Sequence, residues 1–115
     1  MTLTLYGIPN CDTVKKARVW LEAQGIAYAF HDYKKAGADA AQIARWIAAA
    51  GLDQVLNRAG TTFRKLPESE REGLDAVRAA ALMAANPICI KRPFVEHPGG
   101  LMVGFKETVW AAALA

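Results

Sequence analysis

With 115 residues, 53% of them hydrophobic and 22% charged, the chain has the composition of one ordinary globular domain and is too short for two. A net charge of +3 makes no case for direct nucleic-acid binding, because the basic residues come as isolated pairs, Lys15-Lys16 and Lys34-Lys35, and not as a run. No apolar run reaches membrane-spanning length, and Met1-Thr2-Leu3-Thr4-Leu5 enters a strand pattern without the basic region and cleavage site of a signal peptide, so a cytoplasmic protein with no membrane partner is expected.

Leu3 and Leu5 alternate with Thr2 and Thr4, and Tyr6 follows, which predicts a short strand closed by Gly7 and Pro9. Asp12 or Thr13 then caps a helix. In it Val14, Ala17 and Leu21 recur at helical spacing, Trp20 lies beside them, and Lys15, Lys16 and Glu22 take the wet side. Gln24-Gly25 ends that helix. Residues 27–33 read as a second strand; two strands joined through one helix by short connections should run parallel with a right-handed crossover.

Residues 34–38 read as a loop. Asp39-Ala40-Ala41-Gln42 has the capping-box pattern, and Ile43, Trp46, Ile47 and Ala50 follow at helical spacing up to Gly51. Residues 52–57 allow one more helical turn, with Leu52, Val55 and Leu56 apolar. Residues 59–62 read as a loop, residues 63–66 have no clear period, and residues 67–72 are polar, most simply a solvated face. Residues 75–86 are Ala-rich and helical, with Leu74, Val77, Ala81 and Leu82 on one face, and Asn86-Pro87 stops them. Residues 88–96 read as extended with an edge or break at Pro93, His97-Pro98-Gly99-Gly100 as a turn, and residues 101–105 as the antiparallel return. Residues 106–114 close the chain as a helix with Val109, Trp110 and Ala113 apolar. Trp20, Trp46 and Trp110 all fall on helical faces and read as core or rim packing. The sum is an α/β protein in the order β-α-β, helices, β-β-α.

The chemistry concentrates on Cys11. A thiol between a strand and a helix start sits at the positive end of the helix dipole, where its anionic form is favoured, and polar neighbours make this a poor place to hide a hydrophobe. The alternative is a buried structural cysteine. The position three residues on is Val14, so no Cys-x-x-Cys resolving thiol exists, and Cys89, inside the apolar run Ile88-Cys89-Ile90, reads as a buried small hydrophobe. One-thiol chemistry then needs an external thiol to turn over. Arg92-Pro93 is the second candidate: the X-Pro bond there is a candidate for cis, and Arg92 could face Cys11 to hold a thiolate or an anion, or else be a solvated arginine beside Lys91. Spacing alone leaves the two open. Arg58 and Arg64 flank Gly60-Thr61-Thr62 as a possible anion cradle, two surface charges being the simpler reading. His31 and His97 are isolated, so no metal site is expected; His31-Asp32 should hydrogen-bond locally.

These motifs carry a resemblance. The run from Leu5 to Ala17, Phe30-His31-Asp32-Tyr33, the run from Leu56 to Leu66, and Ile90-Lys91-Arg92-Pro93 are similar to the ArsC-type arsenate reductase family, in its YffB-like branch beside the Spx regulators. The resemblance covers essentially the whole chain. It implies a single thioredoxin-like domain over residues 1–115, with a four-stranded mixed sheet and a helical insertion at roughly 39–85. It implies that Cys11 is the nucleophile, that Arg92 contacts it or an oxyanion, that Pro93 is a cis-proline facing the thiol, and that Asn10, Asp12 and Thr13 form an anion-binding turn. The implied activity is a glutathione-dependent thiol reductase with no bound cofactor, glutathione serving as co-substrate and glutaredoxin as a further partner. The alternatives are an Spx-like regulator that binds the RNA polymerase alpha subunit and a true arsenate reductase. Two departures bear on these: Asn57 and Gly104-Phe105 stand where arsenate reductases have their second and third arginines, and Val14 removes the Spx dithiol switch.

Overall fold

The computed structural model describes residues 3–114, so Thr2, expected to open the first strand's alternation, lies outside the described residues. In chain order the elements begin with β1 (Leu3–Gly7), α1 (Asp12–Ala23), β2 (Tyr28–Asp32) and the short α2 (Tyr33–Ala36). Then come α3 (Ala40–Ala50), α4 (Leu52–Val55), α5 (Thr61–Lys65), α6 (Glu68–Arg71), α7 (Ala76–Ala85) and a 3-10 turn over Pro87–Cys89. The chain closes with β3 (Phe94–His97), β4 (Gly100–Val103) and α8 (Glu107–Leu114). These fall into two compact units, Gly37–Lys91 and the flanking segments up to Ala36 and from Arg92.

The flanking segments build a four-stranded sheet in the order β2-β1-β3-β4. β1 and β2 run parallel, with Leu5 beside Phe30, as the expected βαβ unit requires. β1 pairs antiparallel with β3, Leu5 opposite Val95, and β3 with β4, Val95 opposite Met102. The sheet is therefore mixed. Because strand side chains alternate, Leu3 and Leu5 point to one face. There they meet Val14, Ala17, Trp20 and Leu21 of α1, Val95, Met102 and Trp110. Val14, Ala17 and Leu21 have the spacing of one helical stripe, so a single face of α1 supplies its whole contribution. In α8 only Trp110 is buried; Val109 and Ala113, expected to share its face, are exposed, and Val109, one residue away, is turned about 100° from Trp110 around the helix.

Gly7 is where α1 comes closest to β1. A Cβ there would lie 2.9 Å from Cγ2 of Val14, which is fully buried and, as a β-branched helical residue, has little rotamer freedom with which to move aside. Gly7→Ala is therefore expected to cost about 1–3 kcal/mol, read as a lower urea midpoint at unchanged slope. An unchanged midpoint would mean that the approach is looser than described.

In the Gly37–Lys91 unit, α3 is capped by Asp39, whose Oδ1 accepts from the Ala41 N–H at 3.2 Å. It buries Ile43, Trp46 and Ile47, and it packs on α7. α7, capped by Asp75, buries Ala79, Ala80 and Met83, not the face expected from its larger residues; Val77 is 77% exposed. An Ala-rich helix is apolar on more than one stripe, and the small side chains of Ala79 and Ala80 allow the closer helix approach. Leu56 and Ile90 form a β-bridge, flanked by Asn57 N–H to Cys89 O and Lys91 N–H to Val55 O, each 2.8 Å.

Four local expectations change. Residues 34–36 are helical, not loop, and Tyr33, read as the end of the second strand, opens that helix, with Asp32 Oδ1 accepting from the Lys34 N–H at 2.9 Å. Thr61–Lys65 is a helical turn entered from Gly60. Glu68–Arg71 is another, tied down by Arg71 Nε on the Leu66 carbonyl and by the Arg78 guanidinium on the carbonyls of Ser69, Glu72 and Gly73. Residues 88–96 are not continuously extended: Cys89 N–H bonds to Asn86 O at 2.9 Å and Ile90 N–H to Pro87 O at 3.0 Å, so the chain turns before β3 begins at Phe94. Among the described residues no helix is long and apolar enough to cross a membrane.

Candidate active site

The chain leaves β1 at Gly7, turns through Pro9 and Asn10, and enters α1 at Cys11. Cys11 itself is the N-cap, with extended backbone (φ −128°, ψ 124°), and its carbonyl accepts the first helical bond from the Lys15 N–H at 2.9 Å. The expected cap by Asp12 or Thr13 is not found: both lie inside the helix, exposed, and the Cys11 side chain makes no cap hydrogen bond. The first-turn N–H groups, which have no intrahelical partners, thus remain available beside the sulfur. Cys11 is half-buried and packs against the sheet's core; Asn10 is exposed in the turn. Asp12 adds one negative charge to the same helix end.

Topology places Arg92-Pro93 at this end of the sheet. Tyr6 pairs antiparallel with Phe94, so the edge by which β1 departs toward Cys11 is the edge at which the chain enters β3 from Pro93. The Arg92-Pro93 bond is cis. Pro93 is buried and its carbonyl accepts from the Gly104 N–H at 2.8 Å; Arg92 is half-buried.

A cluster not singled out in the sequence lies on the Tyr6 face. Tyr6 donates its hydroxyl proton to Glu96 at 2.5 Å, and the His31 ring sits 5.0 Å from Tyr6 and 5.5 Å from Tyr33. The Tyr33 hydroxyl is buried with no hydrogen-bond partner among the described residues. Burial pushes its pKa far up, Tyr6 and Glu96 add to the shift, and Arg92 opposes it. Thus Arg92 lies within electrostatic reach of Tyr33. The signal available beforehand was strand alternation, which puts Tyr6 opposite Leu5's face and His31 beside it.

Cys89 is 1% exposed, and burial pushes its thiol up as well. Cys89 and Tyr33 therefore hold their protons more tightly folded than unfolded. Their contribution to stability is intact below the ordinary thiol pKa and is lost as pH rises through the ionisation of the unfolded groups, at about 8.5 for thiol and about 10 for phenol. Denaturant titrations should show stability falling above about pH 8.5, and falling less steeply in Tyr33→Phe. At neutral pH that variant, which removes an unpartnered hydroxyl, should be as stable as the parent or up to about 1 kcal/mol more so. A loss at neutral pH would assign the hydroxyl a partner.

Arg58 and Arg64 belong to the Gly37–Lys91 unit. Arg58 Nε lies 3.4 Å from Asp53 Oδ1, both side chains well exposed, a surface pair of small energetic weight. Arg64 is exposed in the last turn of α5 and its N–H bonds to the Gly60 carbonyl, so the residues read as a cradle loop are largely a helix start. Both cysteines are free, Cys11 half-buried and Cys89 buried. Among the described residues no group of His, Cys, Asp and Glu could hold a metal ion.

The sequence model of the ArsC family matches residues 6–113. The chain belongs to the ArsC family. A YffB protein of solved structure is 54% identical with a TM-score of 0.94, covering 98% of this chain and 99% of that one. An uncharacterized protein of Haemophilus influenzae is 40% identical over 98% of this chain and 99% of its own length. An arsenate reductase of Rhizobium meliloti is 36% identical over 87% of this chain and 72% of its own. The global transcriptional regulator Spx of Listeria innocua is more distant, at 28% over 91% and 81%. The α/β fold of this ArsC-family protein is accordingly the thioredoxin-like one. Its departures have structural counterparts. Phe105 packs edge-on against Trp110 at 4.8 Å and tilted against Trp20 at 6.3 Å, and the Asn57 backbone is bonded to Cys89.

Proposed function

We propose that this ArsC-family protein is a glutathione-dependent thiol reductase that works through Cys11 alone. The observation that carries the reading is the uncapped helix start: a partly exposed cysteine at the N-cap, with no side-chain cap hydrogen bond among the described residues. Those groups can hold a thiolate or an anionic substrate group. Cys11 attacks the glutathione sulfur of a mixed disulfide, forming a Cys11–glutathione disulfide and expelling the substrate thiolate, which takes a proton. A second glutathione thiolate attacks the same glutathione sulfur and releases the Cys11 thiolate and oxidised glutathione. The sum is the mixed disulfide plus one free glutathione giving the substrate thiol plus oxidised glutathione, with the Cys11 thiolate regenerated. Arg92, entering from the neighbouring strand edge, is assigned to the anionic partner, and Asn10, Asp12 and Thr13 to the turn around it. Pro93 sets the strand entry opposite.

The test is trapping. Reduced protein incubated with oxidised glutathione should gain one glutathionyl group, mapped by peptide mass spectrometry to Cys11 and not to buried Cys89. A protein that gains none, or gains it at Cys89, rules the mechanism out.

Arsenate reduction is the weaker reading, since at the position where the resemblance to arsenate reductases puts a third arginine this chain has Gly104-Phe105, and Phe105 is engaged with Trp20 and Trp110. The Spx relative supports a second reading, a regulator that binds RNA polymerase; a stoichiometric complex with the polymerase alpha subunit that survives Cys11→Ser would favour it.

A further inference from the structure

The solvent side of α1 carries a groove of about 530 Å³ lined by Lys15, Lys16, Val19, Trp20, Ala23 and Phe105. Its floor is rigid. Trp20, only 8% exposed, packs edge-on to Trp110 at 6.0 Å, and Phe105 closes the trio. Its wall is apolar and open, Val19 being 64% exposed. Neither lysine ammonium has a hydrogen-bond or ion-pair partner among the described residues, and the two outnumber the one carboxylate that also lines the groove, Glu107. The lysines mark the end toward Cys11, since the Lys15 N–H bonds to the Cys11 carbonyl. At a rise of about 1.5 Å per residue, Lys15 lies about 6 Å along the axis from Cys11 and Ala23 about 18 Å.

We propose that this groove docks the polypeptide that carries the disulfide, taking a segment in which acidic residues beside the cysteine are followed by bulky apolar ones. The inference rests on the thiol-reductase reading and assigns its substrate class: S-glutathionylated polypeptide. Charge selects the acidic residues at the Cys11 end, and the Trp20–Phe105 floor selects the apolar ones beyond. Length favours a polypeptide over a small thiol. The stretch from Lys15 to Ala23 is about 12 Å, which about four extended residues span. The chemical step is unchanged: Cys11 takes the glutathionyl group, and the peptide leaves as its thiol.

Two measurements test this independently. In the first, reduced protein is titrated with a peptide of order Ser-Glu-Glu-Phe-Leu and its counterpart Ser-Lys-Lys-Phe-Leu, which contain no sulfur, and backbone amide signals are followed by NMR. The acidic peptide should shift α1 and Phe105 signals and bind about tenfold tighter, with the preference reversed in Lys15→Glu/Lys16→Glu and weakened by salt. Equal binding, shifts elsewhere, or a preference unmoved by the charge reversal overturns the proposal. So does succinate reproducing the shifts where the peptide does not, which would make the groove a small-anion site. In the second, glutathione-linked turnover of 2-hydroxyethyl disulfide is compared with turnover of the two peptides carrying glutathionylated cysteine in place of serine. Turnover of all three without preference for the acidic peptide sinks the groove and leaves the reductase. Acidic-peptide binding without any turnover sinks the reductase, and with it the substrate assignment, while leaving a peptide-binding groove.

Discussion

Cys11→Ser is expected to remove glutathione-linked disulfide reduction, lowering the rate by on the order of 10³-fold or more, because the nucleophile of the first exchange, which is also the leaving group of the second, is gone. The same substitution should not harm the fold. Cys11 makes no capping hydrogen bond, and serine is among the best N-cap residues, its oxygen accepting from a first-turn N–H. Stability should therefore hold or rise, by up to about 1 kcal/mol. Opposite signs in the two readouts separate a chemical role for the sulfur from a packing role. If activity persists in Cys11→Ser, the mechanism fails. If it persists there and vanishes in Cys89→Ala, the buried thiol must become exposed during turnover. A parallel loss of activity and stability would instead make Cys11 a core residue.

Trp110→Ala is expected to have the largest effect on stability. The ring is 1% exposed, its Nε1–H donates to the Gly104 carbonyl at 3.1 Å, and it meets both Phe105 and Trp20. Truncating a buried tryptophan costs about 3–5 kcal/mol. That is a large share of the roughly 5–15 kcal/mol by which such domains are stable. Urea unfolding should show a much lower midpoint, and Trp110→Phe should recover part of the loss while leaving the Gly104 carbonyl without its donor. A loss below about 1 kcal/mol would mean that α8 is not docked as described.

How far the site could be read ahead differs residue by residue. Cys11 was legible because three local signals agree on one place: the Leu3–Leu5 alternation, the Gly7–Pro9 punctuation and the Val14–Ala17–Leu21 stripe. Its capping state was not, since Asp12 and Thr13 are both good caps by type and only the backbone dihedrals assign the position to the cysteine. Arg92-Pro93 was legible as a strand break but not, from spacing, as a neighbour of Cys11. The antiparallel register of Tyr6 on Phe94 puts the two at one end of the sheet, across most of the chain's length. Arg58 and Arg64 were read as flanking a loop, whereas the backbone after Gly60 is helical and Asp53 engages Arg58. The short helices at Thr61–Lys65 and Glu68–Arg71 have too few residues to display a period, and a distant arginine, Arg78, stabilises the second.

By itself the sequence determined the β-α-β opening, the closing hairpin and helix, the absence of a second cysteine beside Cys11 and the buried stripes of α1 and α3, because these depend on residue type and on spacing within a few turns of chain. Tertiary structure alone decided which stripe of Ala-rich α7 is buried, that Tyr33, Glu96 and Arg92 share one electrostatic neighbourhood, and that Trp20 and Phe105 floor a groove beside basic residues one turn from Cys11. Those outcomes depend on which surfaces meet, and many apolar stripes and strand registers are locally equivalent until a partner element selects among them.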